Sequence, residues 1–367
     1  MVSSPGERHA DASYNNKDTM RRHGELFQRI IEYDNLELAY HKAALGRRYQ
    51  PAVLRFHARL DENLIDIQNS LLWRTYEPGP YHTFTIWEPK ERLIYVAPFR
   101  DRVIHHAVMN IVAPIWDRLF IYDSYACRGF KGAHRALYRL DDFLREAGRR
   151  WGASVYCLKG DIHKFFPSIN HHRMMFIIEQ KIKCPDTLWL FRKIIFSNGD
   201  PADPGSHDMP IGNLISQWGA NLYLNALDYF VKHDLNMRYY IRYMDDFIIL
   251  HNNISELRAI KRSINGFIGE YLNLLMNPKS DIFCAERGID FLGYRTWVSH
   301  RLLRKSSIIR ASRRFKKLNT DYARGRTSLP RVHSSVMSWV AHCRHAPAAA
   351  GKLKCIGNLI WRRDNPQ

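Results

Sequence analysis

The chain has 367 residues and carries 55 Lys and Arg against 36 Asp and Glu, which gives a formal net charge of +19. No stretch approaches the roughly 18 consecutive apolar residues of a membrane span, and the N-terminus lacks the apolar segment of a secretory signal. We therefore expect a cytoplasmic protein without membrane contact. The six cysteines form no C-x-x-C pair, which argues against a disulfide framework and a zinc ribbon. The excess of positive charge favours a polyanionic partner, and nucleic acid is the expected one.

The N-terminal part is predicted to be helical and then to form a hairpin. Residues 1–20 are polar and are predicted to be disordered. Between Arg21 and Leu72, apolar residues at near-helical spacing predict two or three helices. Two strands, Phe84–Trp87 and Arg92–Val96, are expected on either side of a turn at Glu88–Glu91. Another helix is predicted from Asp101 to Ile115, ending near Pro114.

The middle of the chain combines a glycine-rich loop with a strand that ends in an acid. The loop Tyr125–His134 contains glycines and cations, but it lacks the spacing of a Walker phosphate-binding loop. The apolar strand Ser154–Leu158 runs towards Asp161, and an aspartate at such a strand end is well placed to hold a metal ion. A long helix is predicted from Ile211 to about His233.

The stretch YYIRYMDDFIIL, Tyr239–Leu250, has the pattern of a β-hairpin. Two apolar runs flank a polar turn, which would place Asp245 and Asp246 at its tip. Taken alone, an ordinary Asp-containing turn explains this pattern as well as a catalytic one does.

The C-terminal part is strongly basic. An amphipathic helix (Ser255–Leu272), a turn at Asn277–Lys279 and a strand ending at Phe291–Tyr294 lead to the segment Arg301–Lys317, which holds eight basic residues and no acidic one. We expect this segment to be helical and to bind a nucleic-acid backbone, with a solvated helix face as the alternative. The residues assigned to that contact are Arg301, Arg304, Lys305, Arg310, Arg313 and Arg314. Further on, His342, Cys343 and His345 lack a paired metal motif, which favours a packed helix end.

The aspartates in the middle of the chain suggest a shared chemistry. Asp161 precedes Asp245 by 245 − 161 = 84 residues, and each acid follows an apolar strand pattern. If the two strands are neighbours, three carboxylates including Asp246 meet at one sheet edge and require hard cations. Mg²⁺ prefers oxygen ligands, and two such ions about 3.5–4 Å apart would support an in-line nucleotidyl transfer. Mn²⁺ is a possible substitute.

Eight blocks in order resemble the reverse transcriptase family over residues 24 to 345. They are EPKERLIYVAP, FRDRVIHHAV, SYACRGFKGAH, GDIHKFFPSI, MPIGNLISQWGANLYLNALD, RYMDDFIIL, LLMNPKS and FLGY. The blocks IGNLISQ, SYACR…KGAH and LLRKSS most resemble reverse transcriptases of diversity-generating retroelements. The resemblance implies an α+β right-hand polymerase fold with fingers, a palm made of an antiparallel sheet with helices, and a helical thumb. Residues 21–152 would form N-terminal helices and fingers, 153–298 the palm with inserted fingers elements, and 299–367 the thumb and C-terminal tail.

The resemblance also implies roles for the acidic and basic residues. Asp161 and Asp245 would be metal ligands together with the carbonyl of Ile162, and Asp246 would be a weaker third carboxylate. Arg92, helped by Lys90, would bind the triphosphate as a charge-assisted donor. Lys279 matches the lysine that protonates the leaving pyrophosphate, although a simple salt bridge fits as well.

Other residues would shape the nucleotide site and hold the primer. Phe166 falls where the family places a gate against the sugar 2′-hydroxyl, with a core aromatic as the alternative. Ile211, Gly212 and Gln217 would line the nucleotide pocket, and Ile211 replaces a glutamine that is more usual in intron and retroviral relatives. Because an apolar site discriminates polar groups poorly, we expect Ile211 to loosen base selection. The primer grip would consist of Phe291, Leu292, Gly293 and Tyr294.

The function implied by the resemblance is an RNA-directed DNA polymerase that copies a template-repeat RNA, with errors at adenines. Its partners would be template RNA, a cDNA or RNA primer, dNTPs and a basic accessory variability protein, in a bacterial or phage-encoded setting. A group II intron-, retron- or CRISPR-associated reverse transcriptase is the first alternative. A catalytically inactive RNA-binding protein of the same fold is the second.

Overall fold

The computed structural model describes residues 22–87, 91–346 and 361–362. The predicted disordered segment 1–20 and residues 88–90 of the predicted hairpin turn lie outside this range. None of the described helices is long and apolar enough to cross a membrane.

Four helices, rather than the two or three predicted, occupy the N-terminal region. Their bounds are α1 Leu26–Ile31, α2 Tyr33–Ala44, α3 Pro51–His57 and α4 Leu60–Leu72. The apolar spacing is nearly continuous through this region, so it does not reveal the breaks. Pro51 marks one of them, because proline fits the first position of a helix, where its missing N–H has no partner to lose.

The next helix, α5, spans Phe99–Asp117 and passes through Pro114, so the predicted end at that proline is wrong. Proline inside a helix removes one hydrogen bond and costs about 3 kcal/mol or more. Packing offsets this cost, because Trp116 is fully buried and its ring stacks on Phe191 with centroids 5.5 Å apart.

The other α-helices and the strands of the described residues have the following bounds. The helices are α6 Ala133–Trp151, α7 Phe165–Ser168, α8 His171–Glu179, α9 Pro185–Ile195, α10 Leu214–Tyr229, α11 Ile254–Leu272, α12 Lys305–Ala323 and α13 Leu329–Arg344. The strands are β1 His82–Trp87, β2 Glu91–Val96, β3 Tyr156–Gly160, β4 Tyr240–Tyr243, β5 Asp246–His251, β6 Asp281–Cys284, β7 Ile289–Phe291, β8 Tyr294–Thr296 and β9 Arg301–Leu303. A single π-helical turn, Phe230–Asp234, extends α10.

The strands form three sheets among the described residues. Their orders are β1-β2, β4-β5-β3-β6 and β7-β8-β9. Strand β3 pairs antiparallel with β6 from Tyr156↔Cys284 to Lys159↔Asp281, and β1 pairs antiparallel with β2. This mixture of helices and antiparallel sheets confirms the predicted α+β class.

The chain divides into two compact units. The first contains the described residues up to Phe130 together with Gly160–Phe247 and Ile260–Ser280. Helix α10 lies at its core, where Leu222, Leu224 and Leu227 are buried. The predicted limits of fingers, palm and thumb stay a prediction, because compactness does not assign those names.

The second unit contains Lys131–Lys159, Ile248–Ala259 and the described residues from Asp281 onwards. Here the block FLGY forms a hairpin turn rather than the end of a strand. Phe291 pairs with Tyr294, and Leu292 and Gly293 between them have φ of 48° and 89°. Two positive φ values are the requirement of a type I′ turn, which matches the twist of the flanking strands.

The prediction that the basic segment Arg301–Lys317 is helical holds for only part of it. It begins as strand β9, and α12 starts only at Lys305. Strand β9 pairs with β8, with Leu303 opposite Tyr294, so the first residues of the segment are held by sheet hydrogen bonds before the helix begins.

Candidate active site

Strands β4 and β5 are joined by a turn of only two residues, Met244 and Asp245. Asp245 therefore lies at the tip of the hairpin, whereas Asp246 is the first residue of β5, which corrects the prediction that both lie at the tip. The short turn follows from the buried strand residues on either side, such as Ile241 and Phe247, whose burial fixes the register. Met244 has φ 55°, an uncommon value for a residue other than glycine.

Asp161 follows β3 directly, and the turn after α11 holds it in place. The side-chain amide of Asn277 donates to Oδ2 of Asp161 at 2.6 Å, and the backbone N–H of Asn277 donates to its carbonyl at 2.8 Å. The backbone N–H of Asp161 donates to Oγ of Ser280 at 3.1 Å. Asn277 and Ser280 are site residues that the sequence analysis missed. The available signal is the Asn-Pro turn, from which the sequence pattern predicts a role only for Lys279.

A close approach between Gly160 and Phe247 brings the two acidic segments together. A Cβ atom at Gly160 would overlap the ring of Phe247, so the strand can pass there only with glycine. Asp161 is the residue after Gly160, and Asp245 lies two residues before Phe247. The contact therefore sets the two carboxylate-bearing chain segments side by side.

The proximity of these acids appears in the electrostatics of Asp245. Burial, together with the negative charge of Asp161, raises the pKa of Asp245 from 3.8 to about 6, while the positive charge of Arg92 opposes that rise. Asp246 acts on Asp245 more weakly than Asp161 does. Two neighbouring carboxylates of this kind are unfavourable unless a cation lies between them.

The residues that could hold such a cation are oxygen donors on two neighbouring segments. Within residues 22–87, 91–346 and 361–362, no three or more His, Cys, Asp or Glu side chains are grouped so as to hold a metal ion. Asp246 is the first residue of β5, and its role as a weaker third carboxylate stays a prediction. Asp161, Asp245 and a backbone carbonyl remain as hard oxygen donors, which suit Mg²⁺ because it usually binds through one or two carboxylates and keeps other positions for water and phosphate.

Ile162, whose carbonyl is a predicted metal ligand, lies beside the turn after α11. Ile162 forms an isolated antiparallel bridge with Met276, and the hydrogen bonds beside it run from Asn277 N–H to Asp161 O and from His163 N–H to Leu275 O. In this pattern the bridged residue itself exchanges no hydrogen bond with its opposite residue. The carbonyl of Ile162 therefore points away from the Leu275–Asn277 segment, whose backbone bonds to Asp161 and His163.

The sequence predicts three cations near the acids. Arg92 lies on β2 and is exposed, and its positive charge opposes the rise in the pKa of Asp245. Lys279 has an exposed side chain, and its backbone N–H closes the turn by donating to Oδ1 of Asn277 at 3.0 Å. Lys90 lies outside the described residues.

The predicted nucleotide-pocket residues lie in the same unit. Phe165 is 2% exposed and forms core, whereas the neighbouring ring of Phe166, 5.5 Å away, is partly exposed. The carbonyl of Ile211 accepts from the N–H of Tyr95 on β2 at 3.0 Å. Gly212 has φ 109°, and a Cβ there would lie 2.9 Å from the carbonyl oxygen of Tyr95, so glycine is required.

Gln217 lies on α10 and contacts the glycine-rich loop. Its Oε1 accepts from Sγ of Cys127 at 3.5 Å. Cys127 has φ 56°, so the loop is sharply bent at this contact.

In the second unit, the predicted primer-grip residues divide into core and surface. Phe291 and Tyr294 are buried, and the hydroxyl of Tyr294 bonds to His342. Only Leu292 and Gly293, at the turn, are partly exposed and accessible to a ligand.

Arg301 is not available to a nucleic-acid backbone, contrary to the prediction. It is 4% exposed, pairs with Asp141, and donates to the carbonyls of Leu137 at 3.0 Å and His345 at 2.9 Å. Arg304 is half-buried and lies 3.4 Å from the carboxylate of Asp290. The remaining predicted backbone contacts are exposed on α12, namely Lys305, Arg310, Arg313 and Arg314.

His342, Cys343 and His345, near the end of α13, pack as a helix end. The ring of His345 stacks on that of His134 with centroids 3.5 Å apart, and its Nδ1 bonds to the hydroxyl of Tyr138. Cys343 is buried.

Comparison with known proteins identifies a family and several relatives. Residues 87–296, more than half of the chain, match the family model described as reverse transcriptase (RNA-dependent DNA polymerase). Protein YkfC of Escherichia coli K12 is 26% identical over 294 residues, which cover 68% of this chain and 74% of that protein. The group II intron-encoded protein LtrA of Lactococcus lactis subsp. cremoris is 26% identical over 216 residues, 56% of this chain but only 35% of that protein. Among solved structures, apo telomerase from Candida tropicalis, truncated from its C-terminal domain, has a TM-score of 0.46 at 12% identity and covers 64% of this chain and 59% of that chain.

Proposed function

The chain belongs to the reverse transcriptase (RNA-dependent DNA polymerase) family, and from this premise we propose that it copies RNA into DNA at the site formed by Asp161 and Asp245. The α+β architecture fits the right-hand polymerase fold. The observation that carries the proposal is the approach of these two acids in a buried place, where burial and then the charge of Asp161 raise the pKa of Asp245 to about 6. Paired carboxylates cost stability in a protein that only binds RNA, and they repel an anionic ligand. That cost disfavours the inactive RNA-binding alternative.

We assign the metal-binding role to Asp161, Asp245 and the carbonyl of Ile162. Divalent ions bound there would polarise the primer 3′-hydroxyl and neutralise the charge of the leaving pyrophosphate. Asn277 keeps one oxygen of Asp161 fixed by its hydrogen bond, so Asp161 is oriented before any ion arrives. This preorganisation lowers the cost of assembling the site.

Substrate binding falls to residues on β2 and α7. Arg92 is exposed, and its positive charge lowers the pKa of Asp245. An exposed cation beside the acids is suited to donate hydrogen bonds to the triphosphate. Lys279 is the candidate proton donor to pyrophosphate. Phe166 is partly exposed while Phe165 fills the core, which supports Phe166 as the residue that excludes a 2′-hydroxyl.

A substrate-choice assay tests the activity. The protein is given a DNA primer annealed to an RNA or a DNA template, with dNTPs or NTPs and Mg²⁺. We expect extension on RNA with dNTPs, and we expect Phe166→Ala to raise NTP use while Phe165 variants lose stability instead. Failure of the wild type to extend on RNA, with the protein folded, would leave the RNA-binding function in its place.

For the biological setting, we propose mutagenic copying of a template-repeat RNA, as in diversity-generating retroelements. Ile211 supports this, because its side chain offers only shape where a glutamine would offer hydrogen bonds, and apolar contacts are worth only about 1–3 kcal/mol of discrimination. Sequencing of cDNA from wild type and Ile211→Gln tests the proposal. We expect fewer errors at template adenines in the variant, and an unchanged error rate would contradict it. A basic accessory protein belongs to the same proposal.

A group II intron-type reverse transcriptase is supported equally well by a specific observation, the similarity to LtrA over 56% of this chain. The neighbourhood of the coding sequence separates the two settings. A variable repeat and a template repeat that differ at adenines would identify the first, and flanking intron RNA domains would identify the second.

A further inference from the structure

Arg242, on β4, has a guanidinium that is completely buried and fully engaged. Its Nε and Nη2 donate to the two carboxylate oxygens of Asp228 at 2.6 and 2.5 Å, and neither side chain has any exposed surface. Its Nη1 donates to Oδ1 of Asn221 at 3.2 Å and to the carbonyl of Met244 at 2.9 Å. Its Nη2 also reaches Oγ of Ser124 at 3.3 Å. This buried cation is therefore fixed in both position and plane.

Asp228 holds Arg242 from helix α10. The carboxylate accepts a forked pair of bonds from the guanidinium and a third bond, at 2.7 Å, from the hydroxyl of Tyr240. Burial opposes a charged arginine, but the charge and hydrogen bonds of Asp228 outweigh it and raise the pKa of Arg242. A planar fork bound at both oxygens leaves little freedom to rotate.

The backbone of Arg242 is held as firmly as its side chain. Its N–H donates to the carbonyl of Asp123 at 3.0 Å, and its carbonyl accepts from the N–H of Tyr125 at 3.1 Å. The segment before the glycine-rich loop therefore runs beside β4. Three separate parts of the sequence, around Ser124, Asn221 and Arg242, meet at this one guanidinium.

The contact that matters for the site is the bond from Arg242 to Met244. The carbonyl of Met244 belongs to the peptide group that connects it to Asp245, so the bond sets the plane of that group. Met244 has φ 55°, a value that a residue with a side chain adopts at a cost and keeps only when its surroundings enforce it. The fixed guanidinium supplies such a constraint.

We propose that Arg242, anchored by Asp228, is a positioning residue that orients the carboxylate of Asp245 for divalent-cation binding. The proposal rests on the proposed polymerase function of Asp161 and Asp245. The side chain of Arg242 has no exposed surface, so in this proposal it acts through the turn. The same buried pair could serve stability alone, and the two roles predict different measurements.

The test compares Arg242→Lys with Tyr223→Phe in the full chain. Lysine keeps the charge near Asp228 but cannot form the planar fork and also reach Met244. Tyr223 lies on the same helix as Asp228, is buried, and donates to the carbonyl of Leu272 at 2.8 Å. Its replacement removes one buried hydrogen bond without touching the turn, which makes it the matched control.

Two readouts are taken at a temperature where circular dichroism finds every variant folded. The first is single-nucleotide incorporation, separated into kcat and the KM for dNTP. The second is Mn²⁺ binding to the protein without nucleic acid, measured by electron paramagnetic resonance. For Arg242→Lys we expect kcat to fall on the order of 10- to 100-fold, a typical cost of misplaced catalytic groups, with KM for dNTP little changed. We also expect weaker Mn²⁺ binding, and Tyr223→Phe should match wild type in both readouts.

The outcomes separate this inference from the proposed function. Wild-type kcat and Mn²⁺ affinity in Arg242→Lys would make Arg242 a purely structural residue and overturn the inference. If the wild type makes no cDNA, the proposed function fails, and the Mn²⁺ measurement still decides the inference. If Arg242→Lys does not fold, Asp228→Asn replaces it, since it leaves the guanidinium in place but weakens its anchor, and wild-type Mn²⁺ affinity in that variant overturns the inference equally.

Discussion

The side-chain amide of Asn277 donates a 2.6 Å hydrogen bond to the carboxylate of Asp161, a residue 116 positions earlier in the chain. The backbone N–H of Asn277 binds the carbonyl of the same aspartate. One residue thus fixes both the main chain and the side chain of a candidate metal ligand, and it leaves the other carboxylate oxygen for a cation.

Replacement of Asn277 should therefore impair catalysis more than folding. We expect Asn277→Ala to reduce kcat by about 10-fold or more, because Asp161 loses its fixed orientation. The backbone bond remains, so the change in unfolding free energy should be about 1–2 kcal/mol. Steady-state primer extension and chemical denaturation measure the two effects. Asn69→Ala, at an exposed position on α4, is the matched control, and equal kcat in Asn277→Ala and wild type would refute the role.

Neutralising Asp245 should stabilise the metal-free protein at neutral pH. Its pKa rises from 3.8 to about 6 on folding, so the folded state binds the extra proton between these values and stability falls as pH rises through that range. Above pH 6 the full cost is present, on the order of 1–3 kcal/mol. Asp245→Asn should thus unfold at higher denaturant than wild type at pH 7.5 in EDTA, and this advantage should shrink towards pH 4.

Mg²⁺ should reverse that order. Added ions should raise the melting temperature of wild type but not of Asp245→Asn, since binding to the folded state alone stabilises it. Asp66→Asn, an exposed change on α4, should behave like wild type throughout. A destabilised Asp245→Asn at pH 7.5 in EDTA would contradict the cost of charging Asp245 that its raised pKa implies.

Gly160 should tolerate no side chain. A methyl group there would overlap the ring of Phe247, so Gly160→Ala must push the strands apart and should cost about 2 kcal/mol or more. Adding Phe247→Leu to Gly160→Ala should recover part of the lost stability by removing the ring. Gly129→Ala meets nothing within 4 Å and is the control. Thermal denaturation measures all three variants, and an unchanged melting temperature for Gly160→Ala would contradict the predicted clash.

Two arginines of the basic segment should behave in opposite ways. Arg301→Gln leaves the carboxylate of Asp141 without its buried partner and should cost about 2–4 kcal/mol of stability. Arg313→Gln, on the exposed face of α12, should keep stability but reduce the salt dependence of RNA binding by about one unit of slope. Denaturation and RNA binding at several salt concentrations distinguish them. An unchanged salt slope in Arg313→Gln would favour the solvated-face interpretation of α12.

Local sequence patterns predicted the elements that depend on neighbouring residues. The alternation around Asp245 gave the hairpin, and the apolar run before Asp161 gave the strand that leads to it. The same reasoning misplaced Asp246, because one residue decides whether a side chain lies in a turn or in a strand. It also ended a helix at Pro114, where the burial of Trp116 carries the helix onward.

The misses at the site share another cause, which is distance along the chain. Arg301 looks like any surface arginine until the fold brings Asp141 to it from 160 residues away. The sequence does not indicate that Asn277 bonds to Asp161, because the two segments meet only in the folded chain. Arg242 lies in the same hairpin as the acids, but nothing in its neighbouring residues indicates that it is buried. Its partner Asp228 lies on a helix whose sequence gives no local sign of a buried charge.

Single-turnover incorporation of one dNMP on a DNA primer with an RNA template tests the central claim most directly. Wild type, Asp161→Asn, Asp245→Asn and the control Asp66→Asn are compared at saturating Mg²⁺ after each is verified as folded. We expect incorporation by wild type and Asp66→Asn, and a loss of at least about 1000-fold in both site variants. Incorporation by Asp161→Asn or Asp245→Asn at the wild-type rate would contradict the assignment of this site.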